Sequence, residues 1–376
     1  MAGSPFRIRC SNLDRIASCP GALQMEEKFP ELEDSESALE GTAAHECFAM
    51  EYEGVPFTTA SRSSDGVAIT EEMLEAGAEF VDIIRSWNAP YVYIEQQLPA
   101  SRIHPLCGGT PDAWGWDPAT YTIYLADLKF GHRDVEVLDN SQLTGYTQAI
   151  AEVLKIDGHT EQFITLDWTI FQPRCYRGGG TRKHWRGRLS DIRQQTNKIV
   201  MAVQDALGAT PSCHPGPHCR DCLGRHACVA LQRAGASVTD FAASTLEEFT
   251  LNDDQCGKEL RRLLAARETL DARIEGLSEQ AISSITRGGR VTGFELKRTS
   301  GRETWRPETA GTVAELAKLY NIDVLRKPEL ITPNQARQLG FDVDSLNLSH
   351  KPGSGVKLVP ISTIETKKIF GANKNG

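Results

Sequence analysis

Hydrophobic and polar positions along the chain fall into a small number of clear periods. The residues Tyr121-Thr-Ile-Tyr-Leu-Ala126 form a β-rich apolar run of the kind a buried strand requires. Tyr91 to Leu98 alternates as a strand, and Phe163 to Gln172 reads as another. Ahead of them, Ser11 to Gln24 predicts a capped helix with Ser11 as its N-cap and Leu13, Ile16 and Ala17 on one apolar face. Gly41 to Tyr52 predicts a second helix. Ile69 to Asn88 predicts a long amphipathic one, with Met73, Leu74, Phe80, Val81 and Ile84 facing a core. Gln142 to Leu154 is helical as well, so the elements run α, β, β, β, α, β.

The character changes near residue 236. Thr245 to Glu248 has a capping-box pattern. Leu260 to Ile285 then keeps a helical period through Leu263, Leu264, Leu270, Ile274, Leu277 and Ile282, until Arg287-Gly-Gly-Arg stops it. A strand over Val291 to Thr299, helices over Thr309 to Tyr320 and Thr332 to Leu339, and a strand over Lys357 to Ile361 complete the expectation. Two domains follow, 1–235 and 236–376. The second carries no catalytic constellation and is expected to position DNA, to oligomerise or to hold a partner.

With 40% apolar and 24% charged residues the chain has ordinary soluble composition. It has no apolar run long enough to span a membrane and no apolar leader at its start, so a cytoplasmic location is expected. Ten cysteines in such a chain point to a reducing compartment, where clustered thiols bind metal rather than pair. No P-loop is present, which excludes a helicase or ATPase of that type.

The net charge of −9 does not advertise nucleic-acid binding, but the charge is segregated. Residues 1 to 100 hold 18 acids against 6 Lys and Arg, whereas Arg174 to Lys198 holds 8 basic residues against Asp191 alone. In that segment Arg174, Arg177, Arg182, Lys183, Arg186 and Arg188 are interleaved with Tyr176 and Trp185. Cations with aromatics suit phosphate contacts and base stacking; a solvated loop is the plainer reading of the same run.

The strongest candidate chemistry lies between Cys107 and Tyr146. Pro111-Asp112 precedes the turn at Asp117-Pro118, and the strand after that turn ends in Asp127-Leu128-Lys129. Alternation places Asp127 and Lys129 on one face, with Asp112 able to meet them across a hairpin. Two carboxylates and an ammonium at the end of an apolar hairpin are costly unless something pairs with them, and Mg²⁺ or Mn²⁺ would. Such an ion supports phosphodiester hydrolysis, with Lys129 assisting the attacking water. Glu95 is a second-rank ligand candidate. Later, Cys213-x5-Cys219-x2-Cys222-x5-Cys228 has metal-site spacing, for zinc or for an iron–sulfur cluster.

Taken together these residues resemble the PD-(D/E)XK nuclease superfamily, and within it the RecB-like exonuclease branch familiar from phages and prophages. Pro111-Asp112, fourteen intervening residues and Asp127-Leu128-Lys129 match its motif. Gly41-Thr-Ala-Ala-His45 is similar to its G-x-x-x-H element and Gln142-Leu-Thr-Gly-Tyr146 to its Q-x-x-x-Y helix. The resemblance covers about residues 10 to 230. It implies an α/β (α+β) restriction-endonuclease-like fold, a mixed sheet flanked by helices, with a helical and small α/β C-terminal extension. It implies metal binding by His45, Asp112, Asp127 and the Leu128 carbonyl, and strand guidance by Gln142 and Tyr146. It also implies a 4Fe-4S staple on Cys19, Cys219, Cys222 and Cys228, which leaves Cys213 surplus. The expected function is DNA exonuclease activity in recombination, replication or repair. A single-strand annealing or other recombination protein would be the expected partner, and a homo-oligomer is compatible with it. The alternatives are an inactive DNA-binding scaffold on the same fold and a structure-specific endonuclease.

Overall fold

The computed structural model describes residues 6–29, 36–175, 180–243 and 253–300, and shorter stretches between 304 and 360. The chain forms two compact units, Met1–Arg273 and Ile274–Gly376. This boundary lies well beyond residue 235 for a physical reason. The helices Val229–Ala243 (α7) and Asp253–Thr286 (α8) carry Leu231 and Ala272, which bury themselves against Cys219, and Arg273 donates to the His226 carbonyl at 2.5 Å. The cysteine segment and the first part of α8 therefore share one core.

The first unit is α+β. Short strands Ile8–Arg9 (β1), Leu98–Pro99 (β3) and Cys107–Gly109 (β4) make a small sheet. The main sheet has five strands: Tyr91–Ile94 (β2), Ala113–Asp117 (β5), Thr122–Leu128 (β6), Thr165–Phe171 (β7) and Arg182–Arg188 (β8), in the order β2-β5-β6-β7-β8. Only β6 and β7 run parallel, and the crossover between them carries the helix Ser141–Val153 (α5). The register pairs Ala113 with Ala126 and Trp114 with Leu125. It sends Trp114, Ile123 and Leu125 into one core, with α5 and the helix Arg193–Ala206 (α6), and Ala113, Ala126 and Leu128 into another. The second core is closed by Glu36–Glu53 (α3) and Glu71–Ser86 (α4), with Met73, Phe80, Val81 and Ile84 buried as their helical spacing requires. Thr70 caps α4 by accepting from the Met73 N–H.

Several expectations change. Ser11 to Gln24 is not one helix: a 3-10 turn over Cys10–Asn12 leads into Leu13–Ser18 (α1), and Cys19-Pro20 breaks the chain before Gly21–Glu26 (α2). Asn12, not Ser11, stands at the N-cap, and Ala17 is exposed. The strand from Tyr91 stops at Ile94 because Glu95 adopts a left-handed backbone with φ of 48°. Within the basic run, Arg182–Arg188 is the edge strand β8 rather than part of a loop. The capping-box residues Thr245 to Glu248, and most of Thr332 to Leu339, lie outside the described residues.

In the second unit, strand Phe294–Ser300 pairs antiparallel with Gly353–Pro360, and helix Ala310–Leu319 buries Val313 and Ala317 against Phe341 and Val343. Along α8 the apolar period does not make a buried face: Leu263, Leu264, Ile274 and Leu277 are exposed. No described helix is long and apolar enough to cross a membrane.

Candidate metal centre and cysteine pocket

The C-terminal end of β6 is where the two cores meet and where α3 and α5 converge on the sheet. Asp127, the penultimate residue of β6, is almost wholly buried, and Asp112 lies just before β5, buried too. One Asp112 oxygen, Oδ2, accepts from the Leu128 N–H at 2.6 Å, which fixes that carboxylate beside the strand end. Its Oδ1 faces His45 Nδ1 at 3.4 Å, and Glu95 Oε1 faces the same nitrogen at 3.6 Å. His45 Nε2 donates to the Leu128 carbonyl at 3.1 Å. Among the described residues, His45, Glu95 and Asp112 are the His/Cys/Asp/Glu set whose ligand atoms all lie within 4.8 Å of one another.

Glu95 thus ranks with His45 and Asp112 rather than behind them. The signal for it was conformational. A non-glycine residue at positive φ is uncommon and concentrates at functional sites. Here it turns the chain out of β2 and its N–H donates to the Asp112 carbonyl at 3.0 Å, tying the two acids together.

Asp127 is reached from the other side. Its Oδ1 accepts from Gln142 Nε2 at 2.9 Å. Its Oδ2 is ion-paired with Lys129 Nζ at 2.9 Å. Lys129 donates to Gln142 Oε1 at 3.0 Å, and Gln142 Nε2 also approaches the Tyr146 hydroxyl at 3.3 Å. Gln142 therefore positions both Asp127 and Lys129 from the first turn of α5, where Asn140 caps the helix. Tyr146 is buried against this network, and its surroundings push the phenol up.

The electrostatics describe a site that wants a cation. Burial pushes the Asp127 carboxyl up to about 6, against the pull of Lys129. Asp112 is buried as well, but His45, Lys129 and the Leu128 N–H outweigh burial and hold it below the ordinary carboxylate range. Burial lowers His45, and Asp112 and Glu95 more than reverse that, so the ring titrates well above its ordinary value. Three carboxylates, an imidazole and a carbonyl form an oxygen-rich set of the kind Mg²⁺ or Mn²⁺ takes.

The cysteines gather elsewhere in the same unit. Cys19, Cys213, Cys219, Cys222 and Cys228 line one small apolar cavity between α2 and the segment preceding α7. Their thiols are not in disulfides. The His214 N–H donates to Cys19 Sγ and the Gly216 N–H to Cys219 Sγ, both at 3.4 Å, as suits sulfurs that carry charge when metallated. Without a metal, burial raises the Cys222 thiol to about 12 and, with Cys19 and Cys228 nearby, Cys213 to about 11. Zinc on four thiolates would require sulfurs about 3.8 Å apart, from its Zn–S distance of about 2.3 Å. No three described cysteines lie within 4.8 Å of one another. Cys213, surplus to the four expected cluster ligands, lines the same cavity.

The basic segment divides. Arg174 pairs with Glu40 at 2.6 Å and Glu72 at 2.8 Å and stacks on Phe130, and Lys183 is buried in an ion pair with Asp134. Both are structural cations rather than open phosphate contacts. Trp185 leans on Trp168, with ring centroids 4.7 Å apart. Arg188 donates to the Phe163 carbonyl and to Thr165. Arg182 and Arg186 project from the edge strand, exposed and without an ion pair among the described residues. Arg177 lies outside the described residues.

A search of curated proteins finds no match. A family model described as a protein of unknown function (DUF2800) matches residues 7–362, nearly the whole chain, and the chain belongs to that family.

Proposed function

We propose that this protein is a Mg²⁺-dependent deoxyribonuclease of the PD-(D/E)XK type that degrades DNA from an end. The observation that carries the reading is the convergence of His45, Glu95 and Asp112 within 4.8 Å beside Asp127 and Lys129. Elements separated by more than eighty residues deliver the residue types that metal-assisted phosphodiester hydrolysis uses.

His45, Glu95, Asp112, Asp127 and the Leu128 carbonyl would hold the ion, which when bound lowers the pKa of water and offsets charge on the phosphoryl oxygens. Lys129 stands beside Asp127 with its charge kept on, and so can orient the attacking water or meet the negative charge that develops on phosphorus. Gln142 holds both residues in place and fixes the Lys129 ammonium. The cleft in front of Lys129 and Gln142, about 560 Å³, is open and can admit a strand. Resemblance to the RecB-like branch supports the need for a DNA end. Cys19, Cys219, Cys222 and Cys228 would hold an iron–sulfur cluster that ties α1 and α2 to the end of the domain.

The test is incubation of purified protein with end-labelled linear DNA and covalently closed circles, with Mg²⁺ or EDTA. Linear DNA should be consumed only with the metal, closed circles should persist, and Asp127→Ala should abolish cleavage. Cutting of closed circles would replace the exonuclease by an endonuclease. No cutting with Mg²⁺ or Mn²⁺, despite tight binding, would make the protein a DNA-binding scaffold.

A further inference from the structure

A second cavity, about 330 Å³, opens beside the catalytic cleft, and Leu138 and Asp139 line both. Trp168 and Trp185 form its floor. Trp168 is fully buried, its indole N–H donating to Thr147, whereas Trp185 is only half-buried and its indole N–H makes no hydrogen bond among the described residues. On the α6 side stand Gln194, Gln195 and Lys198, also without hydrogen-bond or ion-pair partners among those residues. Asp191 on the rim is committed to the Arg188 N–H at 2.7 Å. The shared ridge is itself unusual: Leu138 is 57% exposed, and Asp139 has a left-handed backbone with φ of 54°.

A partly open indole, two unengaged amides and a lysine around a concave floor match a planar, neutral, hydrogen-bonding ligand. Bare phosphate does not suit the site, because Asp139 and Asp191 flank it. From this geometry we propose that the cavity is a nucleobase subsite. It takes one base of the strand whose backbone lies in the catalytic cleft, the base turning over Leu138 to stack on Trp185 while Gln194 and Gln195 meet its edge. The placement explains why an indole on an edge strand is left half-open, and why Ser141 in this cavity and Gln142 in the cleft are consecutive. The proposal rests on the nuclease reading above and adds a site that recognises bases rather than phosphates.

The test measures binding of the full chain, carrying Asp127→Asn to prevent cleavage, to a single-stranded oligonucleotide and to the same strand with abasic positions. Stacking of a base on an aromatic side chain contributes about 1–3 kcal/mol, or roughly 5- to 150-fold in affinity. The base-bearing strand should bind about tenfold more tightly. Trp185→Leu and, separately, the double variant Gln194→Ala/Lys198→Ala should reduce that ratio towards one. The double variant changes only exposed side chains, so it reads the site even if Trp185→Leu disturbs the packing on Trp168. In the Asp127 background, a preference for bases that survives both variants overturns the subsite and leaves the nuclease reading standing. Absence of DNA binding by this variant, together with absence of cleavage by the unaltered protein, overturns both.

Discussion

His45 Nε2 lies 3.1 Å from the carbonyl oxygen of Leu128, the middle residue of Asp127-Leu128-Lys129. The same ring turns Nδ1 to Asp112 and Glu95. The His45 ring thus stands among the oxygens that a divalent ion would share, and their charge raises its pKa. On the metal-binding reading proposed above, metal and proton would compete for one position.

Because His45 titrates well above its ordinary value, binding of Mn²⁺ should expel a proton from the ring. Affinity should therefore rise by about tenfold per pH unit for as long as His45 is protonated in the free protein. Calorimetry at pH 6, 7 and 8 in two buffers of different ionisation enthalpy would show both the trend and the proton release. His45→Ala should flatten the pH dependence between pH 7 and 8, where Asp127 is already ionised, and weaken binding by about tenfold or more. An affinity constant across this range would take His45 out of the ligand set.

The stability of the metal-free protein follows from the same groups. Asp127 holds its proton up to about pH 6, whereas an unfolded aspartate releases it near 3.9. Between these values the folded state binds the extra proton, so this group makes the protein less stable as pH rises through about 6. His45, raised in the folded state, contributes stability that is fully present below about 6.5 and is lost as pH rises through its folded value. In EDTA both act in one direction. Urea unfolding at pH 5, 6 and 7 should show Asp127→Asn gaining on wild type as pH rises, and saturating Mg²⁺ should reverse that trend. A difference that stays flat would mean Asp127 is ionised throughout.

The reach of sequence reasoning here depended on distance along the chain. Asp112, Asp127 and Lys129 were legible because strand alternation and one tight turn place them together by local geometry alone. Gln142 was legible as a motif residue, but its hydrogen bonds to Asp127 and Lys129 depend on how α5 docks on the sheet. Glu95 was under-ranked because its left-handed backbone has no signature in residue type. Arg174 and Lys183 read as phosphate contacts because a run of cations looks alike whether solvated or paired. Their partners Glu40, Glu72 and Asp134 lie 134, 102 and 49 residues away. The helical period of α8 likewise announced a buried face that the fold leaves open.

Arg174 joins three elements around the metal centre: Glu40 on the helix that carries His45, Glu72 on α4, and Phe130 just after Lys129. Its side chain is only 14% exposed, although the two glutamates are more accessible. Arg174→Ala should lower stability by about 2 kcal/mol, below the full figure for a buried pair because its partners are partly solvated. Arg174→Lys should recover less than half, since an ammonium can neither bridge two carboxylates in one plane nor stack on Phe130 in the same way. Urea midpoints give the comparison. A neutral Arg174→Ala would show that α3 and α4 hold each other without it.

The cysteine pocket gives the remaining prediction. Cys19 reaches it from the break between α1 and α2, while Cys213, Cys219, Cys222 and Cys228 come from the segment ahead of α7. A metal bound there would link residues almost two hundred positions apart, in a pocket where burial raises the Cys213, Cys219 and Cys222 thiols. Protein purified without oxygen should therefore be brown and contain iron and sulfide in equal amounts. Cys19→Ser should lose both and unfold at a lower temperature, because binding at such a site is coupled to folding. Cys213→Ser should keep the colour if that thiol is the spare one. The alternative has a different signature: colourless protein with one zinc ion, retained in Cys19→Ser, would assign the four late cysteines to a zinc site and leave Cys19 as a buried apolar residue. Loss of iron from Cys213→Ser but not from Cys222→Ser would exchange those two ligands while preserving the cluster.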